Sequence, residues 1–173
     1  GYAAVLFYLL VYVFTNIGAF AVLVALTQDR RDCDSFDDLA GLARQRPGLA
    51  ALLTLFALSL AGIPGTAGFF AKFFLFKAAV GAGQTVLALV GVLGSVISVY
   101  YYLRLPVVMY FGDAAAAGAV TPQRREVSTG EALVLVLCAA IVLLFGFFPS
   151  NAPGILGGLR PLEWARASVA MLF

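Results

Sequence analysis

Residues 47–80 read PGLAALLTLFALSLAGIPGTAGFFAKFFLFKAAV, and this stretch decides the fold. Its 34 residues would extend about 50 Å as one straight helix, against a hydrocarbon core of about 30 Å. The device that shortens it stands at the centre, Gly62-Ile63-Pro64-Gly65. Pro64 has no N–H, and in a continuous helix its ring would clash with the Leu60 carbonyl. The flanking glycines permit non-helical dihedrals. The run is therefore expected to break into two half-helices, roughly 48–61 and 66–80. A break at membrane depth is tolerated only where the freed backbone groups face protein or water. Broken helices mark ion and substrate sites in transporters for that reason. One half ends in bare carbonyls, which attract cations, and the other begins with bare N–H groups.

The uncharged run that starts at Pro47 ends at Lys72. An ammonium in lipid costs from about 2.5 to more than 10 kcal/mol. Either Lys72 snorkels to the membrane surface, as Lys77 is expected to do, or it works inside. Sequence position alone does not fix its depth, so both readings stand. Lys72 is the candidate functional residue, and Gly62, Pro64 and Gly65 are the candidate break. Thr54, Ser59 and Thr66 offer hydroxyls that could hold water near it.

Outward from this stretch, the chain reads as a membrane protein throughout. Of its 173 residues 62% are hydrophobic and only 12% charged, where a soluble domain carries about 25%. Nine of the twenty charged residues fall between Asp29 and Arg46, and Arg124, Arg125, Glu126 and Glu131 form a second group. Between the groups lie apolar runs of spanning length. The expected fold is an all-α transmembrane, polytopic helical bundle. It has about four spans, at 3–26, 48–80 (broken), 85–111 and 132–148, with an interfacial tail at 151–173. Gly1 is not an initiator methionine, and no signal-peptide pattern precedes the first apolar residues. The 173 residues are therefore expected to be part of a longer chain.

Lysine and arginine counts set the orientation. Arg30, Arg31, Arg44 and Arg46 follow span one, and Arg124 and Arg125 follow span three with Arg104 close by. The opposite side holds Arg160, Arg166 and, if it reaches out, Lys77. The loops 28–47 and 112–131 are thus expected in the cytoplasm. Within the first loop, SFDDLAGL reads as one short interfacial helix with Ser35 as N-cap and Asp37 and Asp38 in its first turn.

Other features invite plainer readings. Gly91 with Ser95, and Gly94 with Ser98, are small residues four apart that suit close helix packing. Tyr100, Tyr101 and Tyr102 beside Arg104 look like an interfacial aromatic cluster with a snorkelling arginine. Thr15 and Asn16 could bond to a neighbouring helix. Cys33 sits in an acidic loop and Cys138 mid-span, which argues against a disulfide. There is no histidine, and the sequence offers no metal, haem or dinucleotide motif. No basic face suggests nucleic acid.

LSLAGIPGTAGFFAKFFLF followed by SVISVYYYLRLPVVMYF resembles the antiporter-like subunit N family of bacterial NADH–quinone oxidoreductase, complex I (subunit 2 in mitochondria and plastids). FTNIGAFAVL and DLAGLARQRP support it, and the likeness covers about residues 5–112 well. It implies the C-terminal part of a single antiporter-like transmembrane domain built from inverted repeats. It implies that Lys72 is the lysine of the second broken helix, implicated in proton transfer. It implies other membrane subunits of complex I as partners, the bacterial inner membrane as location, and no cofactor in this chain. NADH, FMN, iron–sulfur clusters and quinone would belong to the wider complex. One departure is Gly65, where the family often has a second proline. Two alternatives stay open. One is a subunit of a multi-subunit cation/proton antiporter or membrane-bound hydrogenase, which shares the broken helix and lysine. The other is a structural membrane module in which Lys72 is an assembly contact.

Overall fold

The computed structural model describes residues 2–27, 36–112 and 127–147. Expectations for Cys33, Ser35, Arg30, Arg31, Arg124, Arg125 and the tail 151–173 lie outside these residues. The described residues form helices and turns, with no strand. They are α1 (Tyr2–Thr27), a single 3-10 turn (Asp37–Leu39), α2 (Leu42–Gln45), α3 (Pro47–Ala61), α4 (Ala67–Gly81), α5 (Thr85–Phe111) and α6 (Thr129–Phe147). α1, α5 and α6 are each long and apolar enough to cross a membrane. α3 and α4 are the two halves of the broken run.

Two apolar clusters hold the bundle. At one end Leu26, Leu39, Leu42, Leu53, Met109 and Leu135 come together. The C-terminal ends of α1 and α5 therefore meet the N-terminal parts of α3 and α6 there, as alternating spans require. At the other end Phe7 and Val11 of α1 pack on Ala67 and Ala71 of α4, with Phe74 and Phe145 against them. Gly18 lets α1 approach α3 so closely that a Cβ there would enter the Phe56 ring. Gly146 likewise brings α6 onto the backbone of Gly65 and Thr66. The break is thus enclosed by α1 on one side and α6 on another.

Two local expectations are corrected. SFDDLAGL is not one helix: a 3-10 turn at Asp37–Leu39 is separated from α2 by Gly41, whose φ of 70° is left-handed. The segment bends because it must fold back over α5, where the Gly41 N–H reaches the Val108 carbonyl at 3.4 Å. α6 starts at Thr129, ahead of the apolar run at 132. The cause is a cap: the Glu131 carboxylate accepts from the Ser128 N–H at 2.9 Å, one half of a capping box. In the polar segment before α3, Pro47 takes the first helical position, where a missing N–H does no harm.

Candidate functional site

α3 ends at Gly62, whose φ of 86° only glycine adopts freely. The Gly62 N–H donates to the Ser59 carbonyl and the Ile63 N–H to the Leu58 carbonyl, both at 3.0 Å. This is the Schellman arrangement, and it satisfies two of the four carbonyls that a helix end leaves bare. Pro64 and Gly65 then form the centre of a tight turn. The Thr66 N–H reaches the Ile63 carbonyl at 3.3 Å, and Gly65 has a φ of 93°. Proline followed by a positive-φ glycine is the type II pattern. A second proline at 65, fixed near −65°, could not take this dihedral. The Thr66 hydroxyl donates to the same Ile63 carbonyl at 2.7 Å.

The two remaining carbonyls of α3 are those of Leu60 and Ala61. The Lys72 ammonium donates to both, at 2.9 and 3.2 Å. Lys72 therefore does not snorkel away. Its side chain reaches back from α4 and caps the negative end of the α3 dipole. Lys77, by contrast, is exposed.

The junction is close because Gly68 lies on the last turn of α3. A Cβ at 68 would overlap the Ser59 carbonyl. Gly68 is in the first turn of α4, so its N–H has no helical partner. It donates to the Ser59 hydroxyl at 3.2 Å. The Ser59 hydroxyl lies 3.4 Å from that of Thr15, which donates to the Val11 carbonyl at 2.7 Å. Thr15 has one hydroxyl proton, spent on Val11, so Ser59 is the donor between the two. The chain of bonds runs in one direction, from α4 through α3 into α1.

Beside Lys72 is a cavity of about 220 Å³. Tyr8, Tyr12 and Thr15 of α1, Ser59 of α3, Lys72 of α4, and Ser98 and Tyr102 of α5 supply its polar lining. At about 30 Å³ each, several waters fit. Among the described residues no carboxylate lines the cavity. Depth is set by the neighbours: Thr15 is the fourteenth of 26 residues in α1, and Ser98 the fourteenth of 27 in α5. The ammonium thus shares its cavity with residues from the central parts of helices α1 and α5.

Of the residues expected at the site, Lys72, Gly62, Pro64, Gly65, Ser59 and Thr66 gather at the break. Thr54 does not line the cavity, and its hydroxyl donates to Ala50 within its own helix at 2.8 Å. Sequence reading missed Tyr8, Tyr12 and Tyr102. The signal was available: residues 8, 12 and 15 are spaced i, i+4, i+7, and 98 and 102 are spaced i, i+4, each on one helical face. The tyrosine cluster of α5 is split. Tyr100 and Tyr101 are exposed, and Arg104 lies over the Phe36 ring at 5.1 Å, while Tyr102 turns inward. The small-residue pairs divide as well. A Cβ at Gly91 would meet Phe76 of α4, whereas Gly94 has no close neighbour and Ser98 faces the cavity.

The profile of the family described as NADH:quinone oxidoreductase/Mrp antiporter, TM, matches residues 1–98, which include the whole break and Lys72. The chain belongs to this antiporter family. Similar proteins include NADH-quinone oxidoreductase subunit N of Rhodospirillum rubrum, 43% identical over 150 residues, 87% of this chain and 30% of the relative. That of Bdellovibrio bacteriovorus is 49% identical over 146 residues, 83% of this chain and 29% of the relative. That of Trichlorobacter lovleyi is 47% identical over 150 residues, 87% of this chain and 30% of the relative. The chain spans about 30% of the length of the curated relatives it matches. Among the described residues the all-helical transmembrane fold read from sequence holds.

Proposed function

We propose that this chain is the lysine-bearing part of a proton-translocating membrane subunit of NADH–quinone oxidoreductase, and that Lys72 is a proton relay. The observation that carries the proposal is the setting of the Lys72 ammonium. It is bonded to two carbonyls of a broken helix and open to a polar cavity that no carboxylate lines among the described residues. Among the described residues its charge is met by the carbonyl dipoles of α3, so adding or removing one proton changes what holds the two half-helices together. A hydrogen bond to a charged group contributes about 1.5–3 kcal/mol. Moving one charge across 100 mV costs about 2.3 kcal/mol. Making and breaking two such bonds is therefore large enough to act against a membrane potential.

In this reading the partners are the other membrane subunits of complex I and the lipid bilayer. The location is the bacterial inner membrane, with loops 28–47 and 112–131 cytoplasmic. In this reading NADH, FMN, iron–sulfur clusters and quinone belong to the wider complex. A second reading, a subunit of a multi-subunit cation/proton antiporter, draws on the family description, which names both kinds of protein. Carbonyls at the end of α3 would suit a metal cation as well as an ammonium. Sodium-dependent proton movement in vesicles would favour that reading; its absence, together with quinone-coupled pumping, favours the first.

The test is substitution in the full complex. Lys72→Ala should leave the complex assembled, because water in the cavity can satisfy the Leu60 and Ala61 carbonyls, and should strongly reduce proton transfer and coupled quinone reduction. Lys72→Arg should not restore them, since arginine has a pKa above 12 and keeps its proton. An assembled Lys72→Ala complex that pumps like wild type would leave Lys72 a structural cap and sink the relay.

A further inference from the structure

An ammonium has three N–H groups, and Lys72 uses two of them on the Leu60 and Ala61 carbonyls. The third is left for the cavity that Lys72 lines. The other hydrogen-bond donors around that cavity fall into two sets. The small hydroxyls are engaged within the bundle: Thr15 donates to Val11, Ser59 to Thr15, and Ser98 to the Gly94 carbonyl at 2.8 Å. The phenols are not. Among the described residues the hydroxyls of Tyr8, Tyr12 and Tyr102 have no hydrogen-bond partner. The Tyr8 and Tyr12 rings stack with centroids 5.8 Å apart, and Tyr12, 45% exposed, stands at the rim. The three phenols lie within electrostatic range of one another. One positive charge and three unengaged phenol donors, from α1, α4 and α5, thus converge on one cavity.

We propose that this cavity binds a small monovalent anion of the halide class, held as a removable counter-ion between the Lys72 ammonium and the phenols of Tyr8, Tyr12 and Tyr102. The site stands on the geometry of these donors and holds whether or not Lys72 relays protons. A charge taken out of water needs a partner, and the described residues supply no carboxylate along the cavity. The unengaged groups are all donors, and a hydrogen bond from a donor to an anion is roughly twice as strong as one between neutral groups. A metal cation is disfavoured here while Lys72 is protonated, because the ammonium occupies the two carbonyls and repels it. The volume of about 220 Å³ admits a halide with several waters, at about 30 Å³ for each water. Titratable groups facing Lys72 across the cavity are the phenols of Tyr8 and Tyr12 from α1 and Tyr102 from α5; α3 lines it with Ser59 and Leu60, and among the described residues α6 contributes nothing to it. The anion therefore prefers the protonated form of Lys72. By reciprocity a bound anion favours that protonated form by the same factor.

The test uses the purified full complex, with bromide and chloride as probes. Crystals soaked in sodium bromide should show an anomalous peak between the Lys72 Nζ and the three phenols, and Lys72→Ala crystals should lack it. In solution, binding of radioactive chloride should include a saturable site that is absent from Lys72→Ala. The triple variant Tyr8→Phe, Tyr12→Phe, Tyr102→Phe keeps the rings and removes the hydroxyls. It should bind chloride at that site about tenfold or more weakly, through lost hydrogen bonds to a charged group. In the wild type the affinity should fall as the pH is raised and Lys72 loses its proton. Four results would each overturn the site: no bromide peak in the cavity, a carboxylate of another segment of the complex standing there instead, a peak that persists in Lys72→Ala, or chloride binding in solution equal in the wild type and both variants. Binding is read without turnover. A Lys72→Ala complex that pumps normally but has lost the chloride site would therefore remove the relay and leave the anion site.

Discussion

Gly68→Ala tests the junction at the centre of this protein. The added methyl would fall on the Ser59 carbonyl, which is backbone and cannot rotate away. α4 must then move off α3, because real Cβ atoms essentially never come within 3.0 Å of such an atom and overpacking forces backbone shifts. The bonds at the junction have little slack. Gly68 N–H to Ser59 is already 3.2 Å, and the Lys72 bonds to Leu60 and Ala61 are 2.9 and 3.2 Å. Such a shift breaks the first and weakens or breaks the others. Overpacking costs about 1–3 kcal/mol and a lost buried hydrogen bond about 0.5–1.5 kcal/mol. The expected loss of stability is about 2–4 kcal/mol, read by denaturant or thermal unfolding of the full chain in detergent. Proton transport per assembled complex should fall severalfold, because the ammonium loses its carbonyl seat. Gly48→Ala is the control. It lies in the first turn of α3 with nothing near the new methyl, so it should be neutral or stabilise by about 0.4–1 kcal/mol. Wild-type stability and transport in Gly68→Ala would refute the close junction and the argument built on it.

Ser59→Ala leaves the buried Gly68 N–H without its acceptor and should destabilise by about 1–3 kcal/mol in the same unfolding assay. Thr54→Val, whose hydroxyl bonds only within its own helix, should leave transport near wild type; a large loss would return Thr54 to the water path. Pro64→Ala removes the turn's fixed dihedral and should cost about 0.4–1 kcal/mol, with coupling reduced more than assembly; normal pumping per complex would mean that Gly62 and Gly65 hold the break unaided. Cys33 should react with an impermeant thiol reagent in inside-out vesicles and not in intact cells, while Cys138, buried in α6, should react in neither; the reverse pattern for Cys33 would invert the topology.

The sequence by itself determined the elements and their break. Long uncharged runs have no partner for exposed backbone except an internal helical bond, so the spans follow from composition. Gly62-Ile63-Pro64-Gly65 forbids continuity through local chemistry alone, since a ring without an N–H and two positive-φ positions act within a few residues. Tertiary structure decided where Lys72 points. A flexible four-carbon stem reaches a surface or a helix end with equal ease, and the choice depends on two carbonyls of another helix and on Gly68 letting α4 approach α3. It also decided which hydroxyls meet the lysine. Tyr102 and Tyr100 are two residues apart on one helix and read alike in sequence, yet one faces the cavity and the other is 78% exposed. Helix rotation sets that difference, and it is fixed by the apolar contacts α5 makes with α3 and α4, which belong to no single segment.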